Sequence, residues 1–259
     1  MRAGGSVFAE DEAGLLREAA ATGRDLGRML SDRLAGSPLE QVLGWAEFRG
    51  LRIRVEPGVF VPRLRTTFLV ETALAHLAGA GSTAPIVLDL CCGSGAAGAA
   101  VEDALPDAAV FATDIEPAAT ACARSNLAHP ERVFEGDLFD AVPTALLGRF
   151  DVILANAPYV PTDEITFMPQ EARLHEPGSA LDGGVDGLRI QARVAAAATD
   201  WLRPGGLLVI ETSVRQAEAT RELLAEAGLE TRIRHSDDLD ATLVAGVHLE
   251  KLDQSDSDS

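Results

Sequence analysis

The chain has 259 residues, of which 47% are hydrophobic, so it can bury a substantial core. Its 40 acidic and 22 basic residues give a formal net charge of −18, which argues against a nucleic-acid partner because phosphate binding requires a basic surface. No apolar run reaches the roughly 20 residues of a membrane helix, and the first residues lack the apolar segment of a secretory signal. Three cysteines, two of them adjacent (Cys91 and Cys92), indicate reduced thiols in a cytoplasmic protein, and no spacing of cysteine or histidine predicts a metal site.

The first sixty residues predict a small helical region followed by a hairpin. Apolar residues recur at helical spacing over residues 8–35, and Gly36-Ser37-Pro38 ends that pattern. Alternating apolar residues over 48–55, with Gly50 at the turn, predict two antiparallel strands. This part is therefore divided into a short helical region (1–45) and a β-hairpin linker (46–62).

From residue 85 onward, strand and helix patterns alternate, which predicts a doubly wound, mostly parallel α/β sheet. The last two strands are joined by a loop too short for a crossover helix, so the last strand is expected to be antiparallel. A loop of about 25 residues (160–184) interrupts the pattern, and loops of that length are usually functional. The predicted strands cover 85–90, 109–114, 133–135, 152–155, 207–210, 229–234 and 242–247. The main domain is assigned to 63–252, and the acidic residues 253–259 are expected to be disordered.

Three successive strand ends carry residues suited to a nucleoside ligand, all at one edge of the predicted sheet. Asp89 ends the first strand and leads into the turn from Cys91 to Gly95, whose small residues let backbone N–H groups approach a ligand. Asp114 ends the second strand, where a carboxylate can accept from both ribose hydroxyls. Asp137 follows the third, where it can accept from the exocyclic amine of adenine. Each feature also has a plainer explanation, as a tight turn, a helix cap or an unpartnered loop carboxylate.

The fourth strand ends in Asn156-Ala157-Pro158-Tyr159. The Asn156 side chain and a backbone carbonyl can accept the N–H groups of a planar nitrogen and make it more electron-rich, while Tyr159 stacks on the planar group. An Asx-Pro turn with a tyrosine covering the core would give the same four residues. Taken together, the four strand ends predict a pocket for an adenosyl group with an acceptor nitrogen beside it. A nucleoside triphosphate is disfavoured because the chain has no phosphate-binding lysine motif.

At these residues the chain resembles the class I S-adenosylmethionine-dependent methyltransferases. It is most similar to the PrmC/HemK group, the protein-(glutamine-N(5)) methyltransferases that modify the Gly-Gly-Gln loop of peptide-chain release factors. The similarity covers about residues 39–249, and two segments, 57–63 and 176–188, are specific to this group. The resemblance implies a seven-stranded Rossmann-like methyltransferase domain, S-adenosyl-L-methionine as cofactor, and the glutamine side-chain amide of a protein as acceptor.

The resemblance also implies roles for individual residues, none of which involves a metal. The catalytic residues are expected to be Asn156, Ala157, Pro158 and Tyr159. The cofactor is expected to contact Asp89, Cys91, Cys92, Gly93, Gly95, Asp114, Ile115, Asp137, Leu138 and Asn156. The substrate is expected to contact Phe60, Arg63, Arg65, Asn156 and Tyr159.

Three features depart from the pattern of the group. The group has Asn-Pro-Pro-Tyr, and Ala157 replaces the first of these prolines. The group follows Pro-Arg with Pro-Glu-Thr-Glu, so Arg65 and Thr67 replace two carboxylates here. The N-terminal helical region is shorter than the substrate-recognising domain of the group. Two alternatives therefore stay open: N-methylation of a small-molecule amine or amide, and a cofactor-binding module without turnover.

Overall fold

The computed structural model describes residues 9–249, and this range begins with three short helices and a hairpin. The elements are α1 (Ala9–Ala21), α2 (Leu26–Leu34), α3 (Leu39–Leu43), β1 (Trp45–Phe48) and β2 (Leu51–Arg54). The helices enclose a small apolar cluster that contains Leu16, Met29 and Leu43. Helix α3 has only five residues, too few for a helical period to be visible in the sequence.

The rest of the described chain forms a seven-stranded sheet with helices on both faces, which confirms the predicted fold. The strand order is β5-β4-β3-β6-β7-β9-β8, and β9 runs antiparallel to both of its neighbours, as expected. The elements are α4 (Thr67–Ala80), β3 (Ile86–Leu90), α5 (Ala96–Ala104), β4 (Ala109–Asp114), α6 (Pro117–Asn126), β5 (Val133–Glu135), β6 (Phe150–Ala155), α7 (Gln170–His175), α8 (Arg189–Trp201), β7 (Leu202–Thr212), α9 (Ala217–Glu226), β8 (Leu229–Ser236) and β9 (Ala241–His248).

Strand β6 lies at the centre of the core, and all six of its residues are buried. One face of the sheet packs on α4 and α5, and the other packs on α8 and α9. The strand order reverses between β3 and β6, and open α/β sheets bind their ligands at the carboxyl ends of the strands on either side of such a reversal. Within the described residues, no helix is both long and apolar enough to cross a membrane.

Three element boundaries differ from the sequence prediction. The segment 160–184 is not an open loop, because it contains α7 and two short 3₁₀ turns. Helix α8 begins at Arg189 rather than near Val185, since a glycine-rich turn precedes it. Strand β7 begins at Leu202, because Leu202 already pairs with Phe150 before a register shift. The tail 253–259 lies outside the described residues.

Candidate active site

A cavity of about 610 Å³ opens at the carboxyl ends of β3, β4 and β6, beside the reversal of strand order. Its volume is typical of a small-molecule site. The structure brings nearly all the predicted site residues together in its walls, with Gly95 as the exception. These residues are Phe60, Arg63, Arg65, Asp89, Cys91, Cys92, Gly93, Asp114, Ile115, Asp137, Leu138, Asn156, Ala157, Pro158 and Tyr159.

The turn after β3 forms one wall of the cavity. Cys91 and Gly93 both have left-handed backbones, with φ of 59° and 53°. The N–H of Gly93 donates to Asp114 Oδ2 at 2.8 Å, so this turn is held against the end of β4.

Gly95 was expected at the cofactor but does not line the cavity. It caps α5 with φ of 77°, and a Cβ there would lie 3.0 Å from the Cβ of Ala123. Close packing of α5 on α6 therefore explains this glycine.

Two acidic residues, Asp89 and Asp114, line this side of the cavity. Asp89 is buried and accepts from the N–H of Gly98 at 2.8 Å. Burial raises the pKa of Asp89 to about 7. Burial also raises the pKa of Asp114, which accepts from the N–H groups of Gly93 and Glu116. Neither group has a basic partner among residues 9–249, so a positively charged ligand group at this position would favour their ionised forms.

Asp137 makes a contact that the sequence did not predict. Both of its carboxylate oxygens accept from Arg193 of α8, at 3.1 and 2.8 Å, and Arg193 also lines the cavity. A carboxylate offers about four lone-pair sites, so Asp137 keeps capacity to accept from a ligand amine. Leu138 follows with a left-handed backbone at φ of 49° and lines the cavity beside it.

At the end of β6, Asn156 and Ala157 present two hydrogen-bond acceptors without protein partners. Asn156 Nδ2 donates to Thr66 Oγ1 at 3.3 Å, which turns the amide oxygen away from Thr66. Among the described residues, no group donates to Asn156 Oδ1 or to the carbonyl oxygen of Ala157. Thr66 ends the 3₁₀ turn Leu64–Thr66 and is buried. The cavity is therefore able to accept two N–H groups at this point.

Tyr159 is held by its hydroxyl and by its backbone. Its hydroxyl donates to Glu211 Oε1 at 3.3 Å, and its carbonyl accepts from Gln216 Nε2 at 2.9 Å. Arg65 Nε donates to the same Glu211 oxygen at 3.1 Å. Burial and the charge of Glu211 raise the pKa of Tyr159 well above its ordinary value, so the phenol stays neutral. Tyr159 is therefore a fixed, uncharged ring in the cavity wall.

A second ion pair joins the two segments that are specific to the resemblance. Arg63 Nη2 donates to Glu176 Oε1 at 2.6 Å, and the same oxygen accepts from the N–H of Val61 at 3.2 Å. Gln41 adds a further link, because its Nε2 donates to the carbonyls of Val59 and His175. These contacts tie the chain before α4 to the start of the segment 177–182, which lines the cavity.

Sequence reasoning did not assign a site role to Thr66, Arg193 or Gln216. Each of them acts through a contact with a residue far away in the chain, and such contacts leave no local pattern. Glu176 lies in a segment specific to the resemblance and Glu211 lies within its span, but the sequence assigned neither of them a role.

Comparison with known proteins identifies the family. Residues 50–184, just over half of the chain, match the family model "Methyltransferase small domain". The release factor glutamine methyltransferase of Geobacter sulfurreducens is 38% identical over 203 residues, which cover 77% of this chain and 69% of the relative. The chain belongs to the release factor glutamine methyltransferase family. The predicted family and the predicted methyltransferase activity are thereby confirmed.

One further relative and one solved structure are also similar to this chain. The 4-amino-L-phenylalanine/4-methylamino-L-phenylalanine methyltransferase of Streptomyces pristinaespiralis is 35% identical over 200 residues, covering 76% of this chain and 68% of that protein. A methyltransferase structure from Pyrococcus furiosus superimposes with a TM-score of 0.56 at 16% identity, covering 86% of this chain and 99% of the other. At that identity the structural likeness supports the fold alone.

Proposed function

We propose that this protein uses S-adenosylmethionine to methylate the side-chain amide nitrogen of a glutamine in a protein of release-factor type. The observation that carries this proposal is the pair of free acceptors, Asn156 Oδ1 and the Ala157 carbonyl oxygen, in the wall of the cavity. A primary amide offers two N–H groups, which matches two acceptors. The 38% identical relative, a release factor glutamine methyltransferase, supports glutamine as the acceptor.

The residues at the other end of the cavity fit the cofactor. Asp114 offers carboxylate oxygens for ribose hydroxyls, and the apolar side chains of Ile115 and Leu138 offer surfaces for an adenine ring. Asp89 and Asp114, which lack basic partners in the described range, favour a positively charged group near them. S-adenosylmethionine, when bound, supplies a methyl group on a positively charged sulfur. The proposed cofactor contacts are those of the sequence prediction, with Gly95 acting through packing instead.

The residues at the acceptor end orient the nitrogen. Hydrogen bonds to Asn156 and Ala157 draw electron density toward the amide nitrogen and hold its lone pair in one direction. Tyr159, fixed by Glu211 and Gln216, gives the planar amide a surface on which to stack. In this proposal the four residues Asn156 to Tyr159 act by positioning, and none of them has to be a strong base.

The direct test is methyl transfer from labelled cofactor to a release factor and to a peptide that contains Gly-Gly-Gln. We expect label on the glutamine, located by mass spectrometry. Replacement of Asn156 by Ala should lower kcat by about 100-fold, the usual effect of removing one catalytic hydrogen bond. Calorimetric titration with S-adenosylhomocysteine should show that the variant still binds the cofactor product. An unlabelled peptide with the wild-type enzyme would contradict the glutamine assignment.

A second candidate function is N-methylation of an amine carried by a small amino-acid-like molecule. Two observations favour it: Arg65 stands in the cavity wall where the group has a carboxylate, and a 35% identical relative is a 4-amino-L-phenylalanine methyltransferase. The same assay with 4-amino-L-phenylalanine distinguishes the two candidates. Label in the amine but not in the peptide would assign the small-molecule function. Tight cofactor binding with no transfer to either acceptor would indicate a module without turnover.

A further inference from the structure

Arg65 presents an unused guanidinium edge to the cavity. Its Nε donates to Glu211 Oε1 at 3.1 Å, whereas no group among residues 9–249 accepts from its two Nη atoms. The side chain is 44% exposed and lines the cavity. We infer that Arg65 binds a carboxylate carried by the methyl acceptor, an inference that rests on the proposed N-methyltransferase function of this cavity.

The contact with Glu211 gives Arg65 a defined direction. The side chain of Glu211 is only 4% exposed, and its Oε1 also accepts from the Tyr159 hydroxyl at 3.3 Å. A guanidinium held at Nε by a fixed carboxylate keeps its remaining edge free. That edge carries parallel N–H groups, which match the two oxygens of a carboxylate. Arg65 is therefore preorganised for a second, incoming carboxylate.

Arg63, a nearby arginine that also lines the cavity, is engaged more fully. Its Nη2 donates to the buried Glu176 at 2.6 Å, and its guanidinium lies 4.8 Å from the centre of the Phe60 ring. Because its guanidinium stacks on Phe60 and pairs with Glu176, Arg63 stabilises the structure around the cavity. Arg65 has a free end instead, so the inference concerns this arginine.

The distribution of charge in the cavity supports an anionic acceptor. Asp89 and Asp114 end β3 and β4 and have no basic partners in the described range, whereas Arg65 contacts Glu211 of β7, on the other side of β6 in the sheet. The whole chain has a net charge of −18, which repels an anion at long range. A local cation in the cavity offsets that repulsion at the point where the acceptor binds.

Arg65 also lies in the same contact network as Asn156 and Tyr159, which are proposed to hold the acceptor nitrogen. Its neighbour Thr66 accepts from Asn156 Nδ2 at 3.3 Å, and its partner Glu211 accepts from Tyr159. An acceptor that reaches both Asn156 and Arg65 must carry a carboxylate on the same molecule as the methylated nitrogen. Such a carboxylate comes either from a free amino-acid-like molecule or from an acidic side chain beside the glutamine of a peptide.

The test measures binding to the complex with S-adenosylhomocysteine, by calorimetry, with two matched pairs of probes. The first pair is 4-aminophenylacetate and 4-aminophenylacetamide. The second is a Gly-Gly-Gln peptide with Glu next to the glutamine and the same peptide with Gln there. We expect the carboxylate member of one pair to bind at least tenfold more tightly, and Arg65→Gln to abolish that preference. The pair that shows the preference identifies the source of the carboxylate.

Control variants distinguish the loss of a carboxylate contact from damage to the structure of the cavity. Arg65→Gln should leave the affinity for the neutral probes unchanged, and Arg65→Lys should keep part of the preference. Arg232→Gln removes one positive charge from an 80% exposed side chain on β8, outside the cavity wall, and should change nothing. The inference is overturned if neither pair shows a preference, if the preference survives Arg65→Gln, or if the neutral probes weaken equally. Because these are binding measurements, they stand apart from the transfer assay, whose failure would instead overturn the proposed function.

Discussion

The orientation of the Asn156 side-chain amide in the cavity depends on the hydroxyl of Thr66. Thr66 Oγ1 accepts from Asn156 Nδ2 at 3.3 Å, and this contact decides which end of the amide remains for a ligand. Without it, the amide can rotate and present its donor end, which repels an acceptor N–H. We therefore propose Thr66 as a positioning residue for Asn156.

We expect Thr66→Val, which keeps the shape and removes the hydroxyl, to lower kcat by about fivefold, because one hydrogen bond is worth about 1 kcal/mol. Steady-state transfer kinetics would measure the effect, and calorimetry should show unchanged binding of S-adenosylhomocysteine. Thr66→Ser keeps a hydroxyl and is the matched control. Wild-type turnover in Thr66→Val would show that Asn156 does not need this contact.

Ala157 stands where the related group has the first proline of Asn-Pro-Pro-Tyr. Its side chain is buried, at 1% exposure, and its carbonyl oxygen accepts no hydrogen bond from the described residues. The proline ring expected from the resemblance would stiffen the backbone but would add no polar group. The departure therefore leaves the proposed acceptor atom in place.

At the scale of elements, the position of α5 depends on a glycine at its first turn. Gly95 has φ of 77°, and a Cβ there would lie 3.0 Å from the Cβ and 3.1 Å from the Cα of Ala123 in α6. Side-chain rotation cannot move the Cα or Cβ of Ala123, so α5 and α6 would have to move apart. The turn that lines the cavity leads directly into this contact.

Gly95→Ala should lower the free energy of unfolding by about 1–3 kcal/mol, from overpacking and from the left-handed backbone. Urea denaturation followed by circular dichroism measures it. Gly79→Ala is the control, since Gly79 lies within α4 with no atom within 4 Å of its Cβ position. That substitution should be neutral or slightly stabilising. Equal losses in both variants would contradict the packing role.

The short elements between β6 and α8 show where local patterns fail. Helix α7 has six residues, a length that is not stable by propensity alone. It is held by Arg33 of α2, which pairs with Glu171, and by Gln41, which donates to the carbonyl of His175. Those partners come from more than 130 positions earlier in the chain. The sequence therefore indicated a long functional loop but not its helix.

For the whole molecule, burial of Asp89 couples stability to pH. Its pKa rises from 3.8 to about 7 on folding, so between these values the folded state binds more protons than the unfolded state. The contribution of Asp89 to stability is therefore fully present below pH 4 and is lost as pH rises toward 7. Burial raises the pKa of Asp114 as well, which acts in the same direction.

Asp89→Asn removes this titration. In the protein without cofactor, the variant should lose less stability than the wild type between pH 4 and pH 8, with a difference of up to roughly 4 kcal/mol. Urea denaturation at several pH values measures it. Asp107→Asn, on an exposed loop, controls for the loss of one negative charge. Parallel pH profiles for wild type and Asp89→Asn would show that Asp89 is not the titrating group.

Much of the molecule was determined by the sequence itself. Buried strands, Gly-rich and Pro-marked turns and the antiparallel last strand follow from short-range patterns, and strand ends of a parallel sheet necessarily meet at one edge. This rule alone predicts that four residues meet in one cavity, as they do: Asp89, Asp114, Asp137 and Asn156. Only the tertiary structure decided how the acceptor end is arranged. The bond from Asn156 to Thr66 spans 90 positions and that from Arg65 to Glu211 spans 146. Hydrogen bonds act over about 3 Å and depend on angle, so no local pattern reveals which distant side chains will meet.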